Sequence, residues 1–227
     1  MIRFVISLTI ILLTTTFAIA HVTHYKKINS LEYNLYRNNK LIGFHNFEFK
    51  RNGDLLNVES IIEFKIDKLG VELYKYSAKS LATYKNDQLL EFSSKTNQNK
   101  KEKYVNIVID KSGKNLVIDG SSYKGKASRD LIIGTWWNHE IVDAEAQISA
   151  VSGRIIPQKV TFLGKEKINL SGKNFNALHF NFSSSDPKIS KKKKLDTDIW
   201  YDEKTKIWIK AAFDKTGYWE YRLKSIN

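Results

Sequence analysis

"DTDIWYDEKTKIWIKAAF", residues 196–213, alternates apolar and polar side chains on both sides of a polar run, Asp202–Lys206. That is the pattern of a β-hairpin with one face turned to a core. Pairing Ile199 with Ile209 sorts Leu195, Thr197, Ile199 and Tyr201 onto one face with Ile207, Ile209, Ala211 and Phe213. A slip of one residue would mix the faces. The next turn, "DKTG" (214–217), sets Phe213 opposite Trp219, Ala211 opposite Tyr221 and Ile209 opposite Leu223, so one side of a three-strand meander is continuously apolar. The reverse side carries Asp198, Lys210 and Arg222 in one cross-strand row and Trp200, Trp208 and Lys224 in the next. Opposite charges across strands contribute about 0.2–1 kcal/mol each, and a cation over an indole adds a similar amount. Such a face is stable in water unaided, yet it can also serve as an aromatic binding wall.

The same rhythm runs through the chain. Turn signals recur at Asn38-Asn39, Asn52-Gly53, Lys85–Asp87, Lys111–Gly113, Asp119-Gly120, Leu163-Gly164 and Ser171-Gly172, and the segments between them are rich in Ile, Val, Tyr, Phe and Thr. Sequential antiparallel strands are expected. Asn52-Gly53 is the strongest hairpin signal, because a tight turn of that kind needs positive φ at both central residues. One segment breaks the alternation: "RDLIIGTWWNHEIVDAEAQI" (129–148) suits a short helix over its second half. The expected fold is all-β: a strongly curved antiparallel sheet or up-and-down β-barrel of about a dozen strands with one short helical segment, since an open flat sheet would expose its edges. With two Pro, at 157 and 187, and no Ser/Gly linker, residues 21–227 read as one domain.

The first twenty residues, "MIRFVISLTIILLTTTFAIA", have a basic start, an apolar run and a small-x-small end. These are the three parts of a secretory signal peptide, with cleavage expected after Ala20. The alternative is a retained anchor, since about 20 apolar residues span a bilayer. No later stretch is long or apolar enough to cross one, so a periplasmic protein not integral to the membrane is expected. The absence of Cys excludes disulfides, a thiolate metal site, a thiol nucleophile and lipidation at a leader cysteine. The core alone must therefore hold the domain, and a chain of this length buries roughly 70% of its unfolded surface.

The net charge of +13 points to anionic partners. Only six of the 37 basic residues are Arg, however, and Asn and Ile are abundant, which resembles the bias of an AT-rich genome more than selection for phosphate recognition. Export also argues against a nucleic-acid partner.

Candidate chemistry is sparse. His139 and Glu140, with Asp143 following, form the densest group of proton-transfer side chains. A zinc-protease helix would need a second His at 143, which is Asp. Trp136 and Trp137 either plug the open end of the sheet or stack on a ligand, and with Trp200 and Trp208 they are the candidate ligand-binding residues. Gly43-x-His45-x-Phe47 lies in a strand where Gly marks a bulge or a close backbone approach; a lone His45 supplies no metal site, which needs three or four converging ligands. His21, His24 and His179 are less suggestive still. "SSSDPKISKKKKL" (183–195) reads as a basic loop, and Lys191, Lys192, Lys193 and Lys194 are candidates for contact with an anionic surface, each basic residue adding up to about 1 kcal/mol. No nucleophile elbow, phosphate loop or dinucleotide fingerprint occurs, and no cofactor or metal is expected.

Several features in order resemble an uncharacterised family of exported bacterial β-rich proteins defined only as a domain of unknown function. They are the Tyr33 strand followed by "IGFHNF" (42–47), "YKYSAKSLATYKNDQLLEFSSKT" (74–96), "WWN" (136–138), "GRIIPQKVTFLG" (153–164), "DTDIWYD" (196–202) and "GYWEYRL" (217–223). The resemblance covers about residues 31–224. It implies a periplasmic location and a β architecture and supplies no catalytic residues; the Lys-rich stretch 188–194 is an elaboration on it. Three functional classes follow. The leading one is a non-enzymatic envelope protein holding a lipid or other amphipathic small molecule inside a barrel or half-barrel. The others are a module docking on an anionic envelope surface through a basic face, and a hydrolase acting on an envelope polymer through His139 and Glu140.

Overall fold

The computed structural model describes residues 25–190 and 193–227. The leader 1–20, His21, His24, Lys191 and Lys192 lie outside the described residues. Fifteen strands form: β1 (Ser30–Arg37), β2 (Lys40–Asn52), β3 (Leu55–Lys68), β4 (Val71–Lys85), β5 (Gln88–Gln98), β6 (Lys101–Ile109), β7 (Asn115–Gly120) and β8 (Lys124–Ser128) in the first half. The second half holds β9 (Ile132–Ile133), β10 (Ala146–Ile148), β11 (Ile155–Leu170), β12 (Lys173–Ser184), β13 (Asp196–Asp202), β14 (Trp208–Asp214) and β15 (Tyr218–Ile226). All join one sheet in the order β8 to β1, then β15 back to β9. The last strand thus pairs with the first, Leu31 opposite Ile226, and every neighbour is antiparallel except β9 and β10.

The sheet is a large curved one whose hydrogen-bonded ladder does not close, with β8 and β9 at its two ends. A loop bridges the gap. The β10–β11 turn, residues 149–154, lies against the end of β7 and the turn after it, where Ser122 N–H donates to the Ser152 carbonyl at 2.9 Å. Gly120 permits this approach, since a Cβ there would come within 2.6 Å of the Ser152 oxygen. The inward faces of the strands supply the core: Leu31, Tyr33, Phe47, Val58, Phe92, Ile107, Ile118, Phe182, Ile199 and Leu223 are all buried.

Residues 134–145 enter this interior as a plug, and the one short helical segment expected here is found within it. Only His139–Val142 is helical, as one 3-10 turn capped by Asn138, whose side-chain oxygen accepts from Glu140 N–H. A buried irregular segment must find partners for its backbone. Gln158 of β11 supplies two, its side-chain nitrogen donating to the carbonyls of Ile141 and Ala144, both at 2.9 Å, while its oxygen accepts from Gln147.

The hairpin 196–213 forms in a different register from the one its polarity suggests. Ile199 faces Ala211 rather than Ile209, Trp200 faces Lys210, and a bulge follows, so that Tyr201 faces Trp208. Asp198 therefore lies opposite Ala212, not Lys210. The extra residue at a bulge shifts the phase of the alternation, and the two tryptophans leave the common face that strict pairing would give them. The expected register of β14 with β15 is found, with Phe213 opposite Trp219, Ala211 opposite Tyr221 and Lys210 opposite Arg222. Two turn signals also read differently. Leu163-Gly164 is a bulge within β11, and the turn after β2 is Gly53-Asp54, in which Gly53 alone has positive φ.

Candidate functional site

Alternation along β2 sends Gly43, His45, Phe47 and Phe49 inward. Gly43 is required where β2 crosses β3, because a Cβ there would meet the Glu63 carbonyl at 2.0 Å. Opposite His45 and its neighbours, β3, β4 and β5 present Ser60, Ala78, Ser80, Ser94 and Thr96, residues too small to fill the space between the sheet and the plug. A cavity of about 240 Å³ remains. His45, Tyr76, Thr96, Trp136, Val151 and Tyr221 are among its walls.

The cavity is mainly apolar with a few placed polar atoms. His45 Nε2 lies 2.7 Å from Ser60 Oγ, and Ser94 Oγ donates to the Ala150 carbonyl at 2.5 Å, which ties the sheet to the loop that bridges the gap. Burial holds the His45 pKa down at about 3, so the ring is neutral near pH 7. Burial likewise pushes the Tyr76 hydroxyl up to about 12. Three residues of this cavity carry a buried polar atom with no hydrogen-bond partner, His45 Nδ1, Thr96 Oγ1 and Trp136 Nε1. An unpaired buried polar group costs about 1–3 kcal/mol. All three residues line the same space.

Of the four tryptophans expected at a binding surface, Trp136 alone lines this cavity. It is held at φ 61° with its ring edge-on to Trp208 and Tyr221, at centroid distances of 5.5 and 5.7 Å, while its carbonyl accepts from the Tyr201 hydroxyl. Trp137 is a plug residue, 2% exposed, with its ring against Tyr25, Phe49 and Tyr84. Trp208 is fully buried and stacked on Tyr33 at 4.1 Å. Trp200 lies on the outer face, covered by the His179 ring at 4.1 Å and by Lys210 Nζ at 4.5 Å from its centroid, and its indole N–H donates to Glu166. The hairpin aromatics are thus split between core and a covered outer face.

His139 and Glu140 lie in the 3-10 turn of the plug. The His139 ring packs edge-on to Tyr201 at 4.7 Å, whereas Glu140 lines a groove with Tyr84, Gln88 and Arg129. No group of three or more His, Asp or Glu side chains able to hold a metal ion occurs among the described residues. Lys193 and Lys194 are exposed, the Lys193 carbonyl accepting from Arg154 at 3.4 Å. No helix among the described residues is long and apolar enough to cross a membrane.

His45 as a cavity residue was not singled out for binding by its sequence. The signal was present in the alternation Gly43-x-His45-x-Phe47-x-Phe49, which puts an imidazole on an otherwise apolar inward row.

The family model for a domain of unknown function, DUF6134, matches residues 33–224. No curated protein matches the chain. Among solved structures, a β-barrel-like protein of another domain of unknown function, DUF1849, from Brucella abortus is similar with a TM-score of 0.61 at 11% identity, over 87% of this chain and 96% of that one. A candidate exported protein of YmcC-like fold from Bacteroides fragilis aligns with a TM-score of 0.36 at 10% identity, over 87% and 94%. The first of these shares the fold.

Proposed function

We propose, for a chain that belongs to the DUF6134 family of domains of unknown function, that it is an exported, non-enzymatic binding module of the cell envelope. Its half-barrel holds a single-chain amphiphile. The observation that carries the reading is the presence of unpartnered buried atoms, His45 Nδ1 and Trp136 Nε1 among them, on one cavity. A ligand oxygen accepting from the indole N–H and bonded to the imidazole would satisfy both. The volume of about 240 Å³ lies below the roughly 300–1,000 Å³ of ordinary ligand pockets, which suits one chain better than two.

The apolar part of the ligand has a path. The next inward residue of β3 beyond Ile62 is Phe64, stacked on Tyr76 at 4.8 Å and edge-on to Trp219 at 5.2 Å, and these half-buried rings extend the cavity wall along the sheet. Export is supported by the leader grammar of residues 1–20.

Native mass spectrometry of protein purified gently from the periplasm tests this reading. The expected result is reproducible added mass of one single-chain amphiphile, with occupancy falling about tenfold when His45→Phe and Trp136→Phe are combined, one hydrogen bond being worth ~1 kcal/mol or more. Consistently ligand-free protein, or occupancy unchanged in the double variant, overturns it.

A further inference from the structure

Antiparallel order assigns every turn to one of two rims. One rim carries the β1–β2, β3–β4, β5–β6, β7–β8, β10–β11, β12–β13 and β14–β15 connections, and the other carries those between. The basic residues are not shared evenly. At the first rim stand Arg37 and Lys40 in the first turn, Lys68 in the second, and Lys100 and Lys101 in the third, none of these turns holding an acid between its strand ends. Lys124, Arg154, Lys188 and Lys193 follow in later turns of the same rim, where Asp186 and Asp214 also stand and Lys124 pairs with Asp119. At the opposite rim most turns hold both signs, Asp110 with Lys111, Arg129 with Asp130 and Glu203 with Lys204, while the β11–β12 turn carries Lys173 alone. Compositional bias would load both rims alike.

The basic rim also bears the most exposed apolar group. Leu69 occupies the tip of the β3–β4 hairpin, 95% exposed and at φ 51°, with Val71 and Leu73 beside it at 60% and 53%. Lys40, Lys68, Lys100 and Lys101 form no ion pair among the described residues. We infer that this rim docks on an anionic phospholipid surface, with Leu69 entering the headgroup layer and the lysines of the neighbouring turns contacting lipid phosphates. A soluble acidic polymer would require the charge alone and would leave Leu69 without a role. The docking rests on the proposed function only for its purpose: Val151, which lines the cavity, belongs to a turn of this same rim, so a docked molecule presents its interior to the bilayer.

Co-sedimentation of protein beginning at His21 with vesicles tests it, using phosphatidylcholine alone and phosphatidylcholine mixed with phosphatidylglycerol. The expected result is binding to the mixed vesicles that weakens with salt. Lys68→Glu with Lys101→Glu reduces it about twentyfold or more, and Leu69→Asn reduces it roughly tenfold. Lys111→Glu with Lys204→Glu, the same charge change at the other rim, leaves it within about twofold of the parent. Equal loss from both pairs overturns the inference in favour of diffuse attraction. Sensitivity to the rim lysines with none to Leu69 replaces the bilayer by an acidic polymer, and absence of vesicle binding with self-association through the hairpin replaces it by a second copy. Cavity occupancy, read by mass on the same variants, is independent of these outcomes, so failure here and failure of the binding reading are distinguishable.

Discussion

An imidazole enclosed among Phe47, Trp208 and Tyr221 can be neutral at small cost and charged only at a large one. The folded-state pKa of His45 falls to about 3 from an ordinary 6.5. Below pH 6.5 the unfolded chain takes up a proton that the folded chain refuses, so stability from this residue is intact above 6.5 and lost as the pH drops towards 3. The slope is about 1.4 kcal/mol per pH unit. Urea unfolding between pH 6.5 and 4.5 should show this slope reduced in His45→Gln relative to the parent, and identical slopes in the two proteins would refute the assignment. Site legibility at this scale was partial. Trp136 and the Gly43-x-His45 strand stood out by residue type, but which of five tryptophans meets empty space depends on how the plug enters, and no local pattern encodes that.

Among the elements, the β3–β4 hairpin is at odds with its own sequence. A Leu at φ 51° meets the steric penalty that makes left-handed backbone unfavourable for L-residues, about 1–2 kcal/mol, and its side chain packs on nothing. Asn tolerates that conformation. Leu69→Asn should therefore raise the unfolding free energy by about 1 kcal/mol while weakening vesicle binding, and a variant that is less stable than the parent would show that Leu69 serves the fold. The strands themselves were legible because their alternation and turn residues agree with the sheet: Asn38-Asn39, Asn86-Asp87 and Ser171-Gly172 all turn with positive φ. Leu69-Gly70 and Asn99-Lys100 do the same with less distinctive chemistry. The register of β13 on β14 was not legible, since the bulge that turns Trp208 inward answers to Tyr33 on a strand remote in sequence. The short helical segment was legible, but its confinement to one 3-10 turn was not, since Gln158 captures the carbonyls of Ile141 and Ala144 from another strand.

The whole molecule is a half-barrel whose circuit is completed by a loop. Gly120 lies where that loop meets β7, and a methyl group there would press on the Ser152 carbonyl, a backbone atom with little freedom to withdraw. Gly120→Ala should destabilise the fold by about 1–3 kcal/mol and speed amide exchange at Ser122, whose N–H donates across the gap. Unchanged exchange at Ser122 would mean that the contact does not hold the molecule shut. In a sealed barrel the strand number and stagger fix the girth. Here the circuit is closed by the contacts of one loop with β7, with Ser122 beyond it and with Ser94, and no strand ladder crosses the gap. The circuit is consequently closed by a latch of turn contacts and not by a seam of strand pairing.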